Sequence, residues 1–122
     1  LEWGLVAQFQ FILWFAYWYL QTENFDFEWD SGNSSKSADK HGVKMDEVES
    51  VFCHKLAAPI GHQISPDVPE ERLCLVGPSD QGRLLSVVFT LRDGRVRPIS
   101  SRIASRKERV LYEKIRKTIE RI

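Results

Sequence analysis

The side chains best suited to chemistry in this chain are cationic. Lys40 and His41 are adjacent. Arg83 opens a run rich in Leu and Val, Arg95 and Arg97 flank Val96, and Arg102 follows five residues after Arg97. Guanidinium and ammonium groups gathered on one surface bind phosphates and stabilise the charge that develops during phosphoryl transfer. A histidine within such a set brings the side-chain class that exchanges protons near neutral pH. Trp29 offers an indole that can stack on a base, and the same residue fits a core equally well. Each cation on its own is equally an ordinary surface charge. Period-two alternation puts Arg95 and Arg97 on one face of a strand and Arg102 on the other, unless a bulge at Pro98 restores it.

Other chemistries fail on inventory. A glycine-rich phosphate loop, a dinucleotide fingerprint and a nucleophile elbow are absent from the sequence. Cys53, His54, His62 and Cys74 lack the paired spacing of structural zinc sites, so no metal or cofactor is expected. Glu70 and Glu71 read as solvated loop carboxylates. Two cysteines exclude a disulfide scaffold and point to a reducing compartment, the cytoplasm. With 122 residues, 43% apolar and 28% charged, the chain is long enough for one folded core but not for two lobes around a cleft. Net charge is zero, yet residues 23–80 carry 12 acids against 5 bases and residues 92–122 carry 11 bases against 4 acids. The basic end suits an anionic partner such as nucleic acid, and it suits internal pairing with the acidic half as well.

The elements that must hold these cations read as α+β. Phe25, Phe27 and Trp29 alternate with polar residues, a strand pattern. A helix is expected from Asp30 or Ser31 to about His41, stopped by Gly42, although its Ser-rich sequence is a poor helix former. Met45, Val48 and Phe52 fit one face of a second short helix. Residues 56–70, with Pro59, Gly61, Pro66 and Pro69, read as a loop with a brief strand at 56–58. Strands are expected over 71–77, 83–91 and 95–102, as a three-stranded antiparallel meander. Asp93-Gly94 forms its last hairpin, and Pro98 marks an edge position or a bulge. Ser105-Arg-Lys-Glu108 is a capping box opening an amphipathic helix, with Leu111, Tyr112, Ile115, Thr118, Ile119 and Ile122 turned to the sheet.

The N-terminus does not match the rest. Fourteen of the sixteen residues from Leu5 to Leu20 are apolar. The run is short for a membrane span, has no flanking Lys or Arg, and lacks a signal-peptide pattern. A membrane or interface anchor, an element packed on the domain, and an extension from an upstream start all remain open. Membrane association is the less expected.

From Phe27 onward the chain resembles the BrnT family, toxins of type II toxin–antitoxin systems. The resemblance rests on Phe27-Glu-Trp-Asp30, Lys40-His-Gly-Val43, the acidic helix ending in Val51-Phe52, and Glu70-Glu-Arg72 leading into a strand to Gly77. It continues through Gly82-Arg-Leu-Leu85 with Val-Val-Phe-Thr90, and Arg97-Pro-Ile-Ser-Ser-Arg102 running on to Glu108-Arg109 and Tyr112-Glu113. It implies a toxin domain over 25–122, with 1–24 as a hydrophobic extension. The implied fold is RelE-like: an antiparallel sheet, two short N-terminal helices and an amphipathic C-terminal helix. The implied activity is a metal-independent endoribonuclease that blocks translation. A ribbon-helix-helix-like antitoxin would neutralise it, and operator DNA would be reached only through that partner. Carried over by position, the catalytic set is Lys40, His41, Arg83, Arg97 and Arg102, with Trp29, Arg72 and Glu47 at the RNA. The chain departs from the family pattern at Asn33, where Lys is usual, at Ser37, where Asn is usual, and at Pro98, where an apolar residue is usual. These departures predict a weaker first helix and a reshaped strand beneath Arg97 and Arg102. They are also what a non-catalytic interaction module, a toxin turned co-repressor, would show.

Overall fold

The computed structural model describes residues 5–64 and 71–120, with side chains described over 13–61, 71–118 and at 120. Glu70, Ile122 and the side chains of His62 and Ile119 therefore lie outside the described set. Chain order is α1 (Leu5–Gln21), α2 (Lys36–His41), α3 (Met45–Cys53), β1 (Ala58–Ile64), β2 (Glu71–Pro78), β3 (Leu84–Arg92), β4 (Arg95–Ile103) and α4 (Arg106–Glu120). The strands form one antiparallel sheet in the order β1-β2-β3-β4.

The expected meander is present and gains a fourth strand. β1 occupies the middle of the stretch read as a loop with a brief strand at 56–58, and its register slips between Pro59 and Gly61. β1 is an edge strand, where a missing proline N–H and a bulge cost least. The Asp93-Gly94 hairpin forms with positive φ at both residues, 52° and 78°, as a two-residue turn requires. Gly77 is required by proximity: a Cβ there would meet that of Ala57 at 2.5 Å.

One face of the sheet carries the core. Leu73, Leu75, Leu85, Val87, Phe89 and Val96 pack against Val48, Val51 and Phe52 of α3 and against Phe15 and Tyr19 of α1. The apolar N-terminal run is thus a helix whose inner side belongs to this core. Phe15 meets the Phe89 ring edge-on at 6.0 Å, and the Tyr19 hydroxyl donates to the Val51 carbonyl at 2.9 Å. The Lys55 ammonium donates to the Tyr19 and Thr22 carbonyls, adding positive charge where the C-terminal dipole of α1 favours it. No helix among the described residues is long and apolar enough to cross a membrane.

Two expected elements come out smaller. Phe25–Trp29 is not a full strand: Phe27 makes an isolated parallel bridge to Val96. Val96 N–H donates to the Asp26 carbonyl at 2.7 Å, and Glu28 N–H to the Val96 carbonyl at 2.8 Å. The first helix spans only Lys36–His41, preceded by turns. Asn33 accounts for the late start, since its side chain is spent on the open edge of β4, while Ser37, inside α2, docks the helix on the same edge. Asn33 is buried and donates to the carbonyls of Glu28 and Pro98, at 2.9 and 2.8 Å. Ser37 accepts from Ser101 N–H at 2.9 Å. An edge that would otherwise template aggregation is covered along its length. α4 starts at the predicted capping box, but Leu111, expected on the packed face, is 40% exposed.

Candidate functional site

The second face of the sheet is largely polar, with Val76 and Val88 among its apolar members on β2 and β3. Arg72 and Cys74 of β2, Ser86, Thr90 and Arg92 of β3, and Arg97 and Arg102 of β4 alternate with the core residues and so lie opposite them. Arg97 and Arg102 share this face because the register slips at Ile99: Pro98 pairs with Phe89 and Ser100 with Val88. The bulge beside Pro98 is what realigns two arginines five residues apart.

Arg97 is the best-held of them. Its side chain is 15% exposed. Nη1 and Nη2 donate to the two Asp30 carboxylate oxygens at 2.8 and 3.1 Å, and Nη1 also donates to Glu28 at 3.0 Å. Hydrogen bonding from Arg97, then from Gly32 N–H, holds the Asp30 carboxyl below the usual carboxylate range, and the Arg97 pKa is raised in turn, chiefly by Asp30. Beside this pair lies a cavity of about 220 Å³, walled by Lys36, Arg72, Arg92, Arg97 and Thr90, with Gly32, Asn33, Pro98 and Ile99 closing it. Arg72 Nε is buried there with no hydrogen-bond partner among the described residues.

Arg102 lies further along β4 and forks onto Glu108, at 2.7 and 3.1 Å. Glu108 also accepts from Ser86 and from Ser105 N–H. Burial opposes its ionisation, but hydrogen bonds from Arg102, Ser105 and Ser86 outweigh it and pull its pKa down to about 2. A carboxyl more acidic in the folded state stabilises above its unfolded pKa and loses that stabilisation as pH falls through the folded value. Glu108→Gln is therefore expected to cost on the order of 3 kcal/mol near pH 7. Melting curves of the two proteins should converge as pH drops from about 5 toward 2, and a pH-independent gap would contradict the assignment.

Arg83 is on the other face. It donates through Nε to Glu47 at 2.9 Å and through Nη2 to both the second Glu47 oxygen and the Gly42 carbonyl, the latter at 3.1 Å. Glu47 is 1% exposed and also accepts from Ser79 at 2.7 Å. Glu47 thus lies in the scaffold, and Arg83 ties α3 to the end of α2. Lys40 and His41 form that end and are exposed. Trp29 packs against the core, with its indole N–H donating to Glu49 at 2.7 Å.

The structure thus brings together Arg72 and Arg97, sets Arg102 on the same face, and turns Arg83 to the opposite one. Sequence reasoning missed Lys36, Thr90 and Arg92. A usable signal for Lys36 was its spacing: it precedes Lys40 by four residues, which stacks the two on one side of α2. The arrangement can hold a phosphodiester and offset its charge through guanidinium forks. Among the described residues no three metal-ligating side chains converge.

A family model described as "Ribonuclease toxin, BrnT, of type II toxin-antitoxin system" matches residues 29–108. Among solved structures the chain is similar to the crystal structure of the Brucella abortus ribonuclease toxin BrnT. That similarity has 21% identity and a TM-score of 0.49, and covers 68% of this chain and 100% of that one. The search of curated proteins finds no match.

Proposed function

The chain belongs to the BrnT family of ribonuclease toxins of type II toxin–antitoxin systems, and from that premise we propose that its polar sheet face binds RNA and cleaves it without a metal ion. The observation that carries this reading is the cavity walled by Lys36, Arg72, Arg92 and Arg97. Four cations around one small volume, two of them also facing carboxylates, make an anion site of the size of a phosphate and its sugar edge. The RNA backbone runs from this cavity along β4 toward Arg102, flanked by Lys36 and Lys40 on α2. Its non-specific attraction is electrostatic and falls with salt.

In the reaction, the 2′-oxygen loses its proton and attacks the adjacent phosphorus. The bond from phosphorus to the 5′-oxygen breaks, and that oxygen takes a proton. Arg97, with Arg102 beyond it, offsets the charge on the pentavalent transition state. The proton transfers fall to Lys40 and His41 at the end of α2. Arg83 contributes from the scaffold, by fixing that end through Gly42. Cleavage of RNA stops translation in the cytoplasm, and a cognate antitoxin, ribbon-helix-helix-like and DNA-binding, restrains the toxin. Operator DNA is reached only through that antitoxin.

The test is end analysis of a synthetic RNA cleaved in the presence of EDTA. Products with 2′,3′-cyclic phosphate and 5′-hydroxyl ends are expected. Products with 5′-phosphates, or loss of cleavage in EDTA, would overturn the mechanism. An intact RNA, with partner binding retained, would favour the interaction-module alternative.

A further inference from the structure

Resting on that reading of the polar face, we infer that Asp30 occupies the place of a substrate phosphate on Arg97 in the free protein, and that RNA binding displaces it. The Asp30 carboxylate takes both terminal nitrogens of Arg97, at 2.8 and 3.1 Å. This is the fork by which a guanidinium holds two oxygens of a phosphodiester. The two carboxylates on Arg97 are not equivalent. Glu28 has a 23% exposed side chain and is shared with Arg92 at 3.3 Å, whereas the Asp30 side chain is 51% exposed. Asp30 can therefore swing into water at little desolvation cost, giving up Arg97 and the exposed Gly32 N–H at 2.8 Å, which water can replace, while Glu28 stays and keeps Arg97 aimed.

The local backbone permits this exchange. Asp30 N–H is held by the Asn33 side chain at 2.8 Å, and Asn33 is itself pinned to Pro98. The turn keeps its place when the carboxylate leaves. The released site is strongly positive: Lys36, Arg72, Arg92 and Arg97 border it, with Glu28 still on Arg92 and Arg97. The Asp30 carboxyl is held below the usual range, so it is charged and competes with phosphate throughout the neutral range. The carboxylate thus screens the anion site against weak ligands and yields to a backbone that engages several cations at once.

The test measures binding alone, by fluorescence anisotropy of a 2′-O-methyl oligoribonucleotide that cannot be cleaved. Asp30→Asn is expected to tighten binding about fivefold, since a competing charge is removed while an acceptor for Gly32 N–H remains. Asp30→Ser should do the same, which guards against a folding defect peculiar to one variant. Lys36→Gln should weaken binding about fivefold and reduce the log–log salt slope by about one. Unchanged or weaker binding in both folded Asp30 variants, with Lys36→Gln still weakening it, overturns the displacement and leaves the RNA site standing. If Lys36→Gln has no effect either, the RNA-site reading itself fails.

Discussion

Arg97→Ala is expected to lower single-turnover cleavage of a synthetic RNA by about a hundredfold or more. Arg97 is the cation most completely oriented on the polar face, gripped by Asp30 and Glu28 and bordering the cavity that also contains Arg72 and Lys36. An oriented guanidinium offsets transition-state charge without reorganising at the moment of reaction, which is why its removal costs more than the loss of one surface charge. Arg97→Lys should restore only part of the rate, because an ammonium is a point charge and cannot fork. The fold should survive, since the partners left behind lie at the rim and Arg92 remains beside Glu28. A loss below about tenfold would remove Arg97 from the reacting set.

Arg83→Ala is expected to act mainly on the fold. It leaves the Glu47 carboxylate, 1% exposed, without the guanidinium that keeps it ionised. Hydrogen bonding from Arg83 first, then from Ser79, lowers the Glu47 pKa against the opposing effect of burial. Removing one partner of a buried ion pair costs more than the pair contributes, because the survivor is stranded. The melting temperature should fall by about 10 °C, and a second change, Glu47→Gln, should recover much of that loss. Cleavage should fall alongside, because Arg83 also holds the Gly42 carbonyl at the end of α2, next to Lys40 and His41. A variant with an unchanged melting curve but no cleavage would move Arg83 from the scaffold to the RNA.

How much of this was legible in the sequence follows the range of the interactions involved. The β3–β4 hairpin, the capping box of α4 and the C-terminal stop of α2 at Gly42 were all legible, because each depends on residues a few positions apart. β1 was hidden because its Pro and Gly obey the rules of an edge strand, and nothing local says that a segment will lie at an edge. The first helix was read too long. Asn33 donates to the Pro98 carbonyl of β4, some 65 residues away, and local propensity carries no record of that.

The sequence by itself determined the family, the α+β class, and an inventory of arginines and lysines with few alternatives for chemistry. Only the tertiary structure decided what each cation does. Arg83, Arg97 and Arg102 are chemically identical, yet one is tied to Glu47 beneath the core face, one forks onto Asp30 beside a cavity, and one clamps the Glu108 cap. The reason is that a guanidinium's role is set by the carboxylate it meets and the face it occupies. Both depend on long-range register: Pro98 marked where a bulge could fall, but only strand pairing decided that the register slips at Ile99 and realigns Arg97 with Arg102.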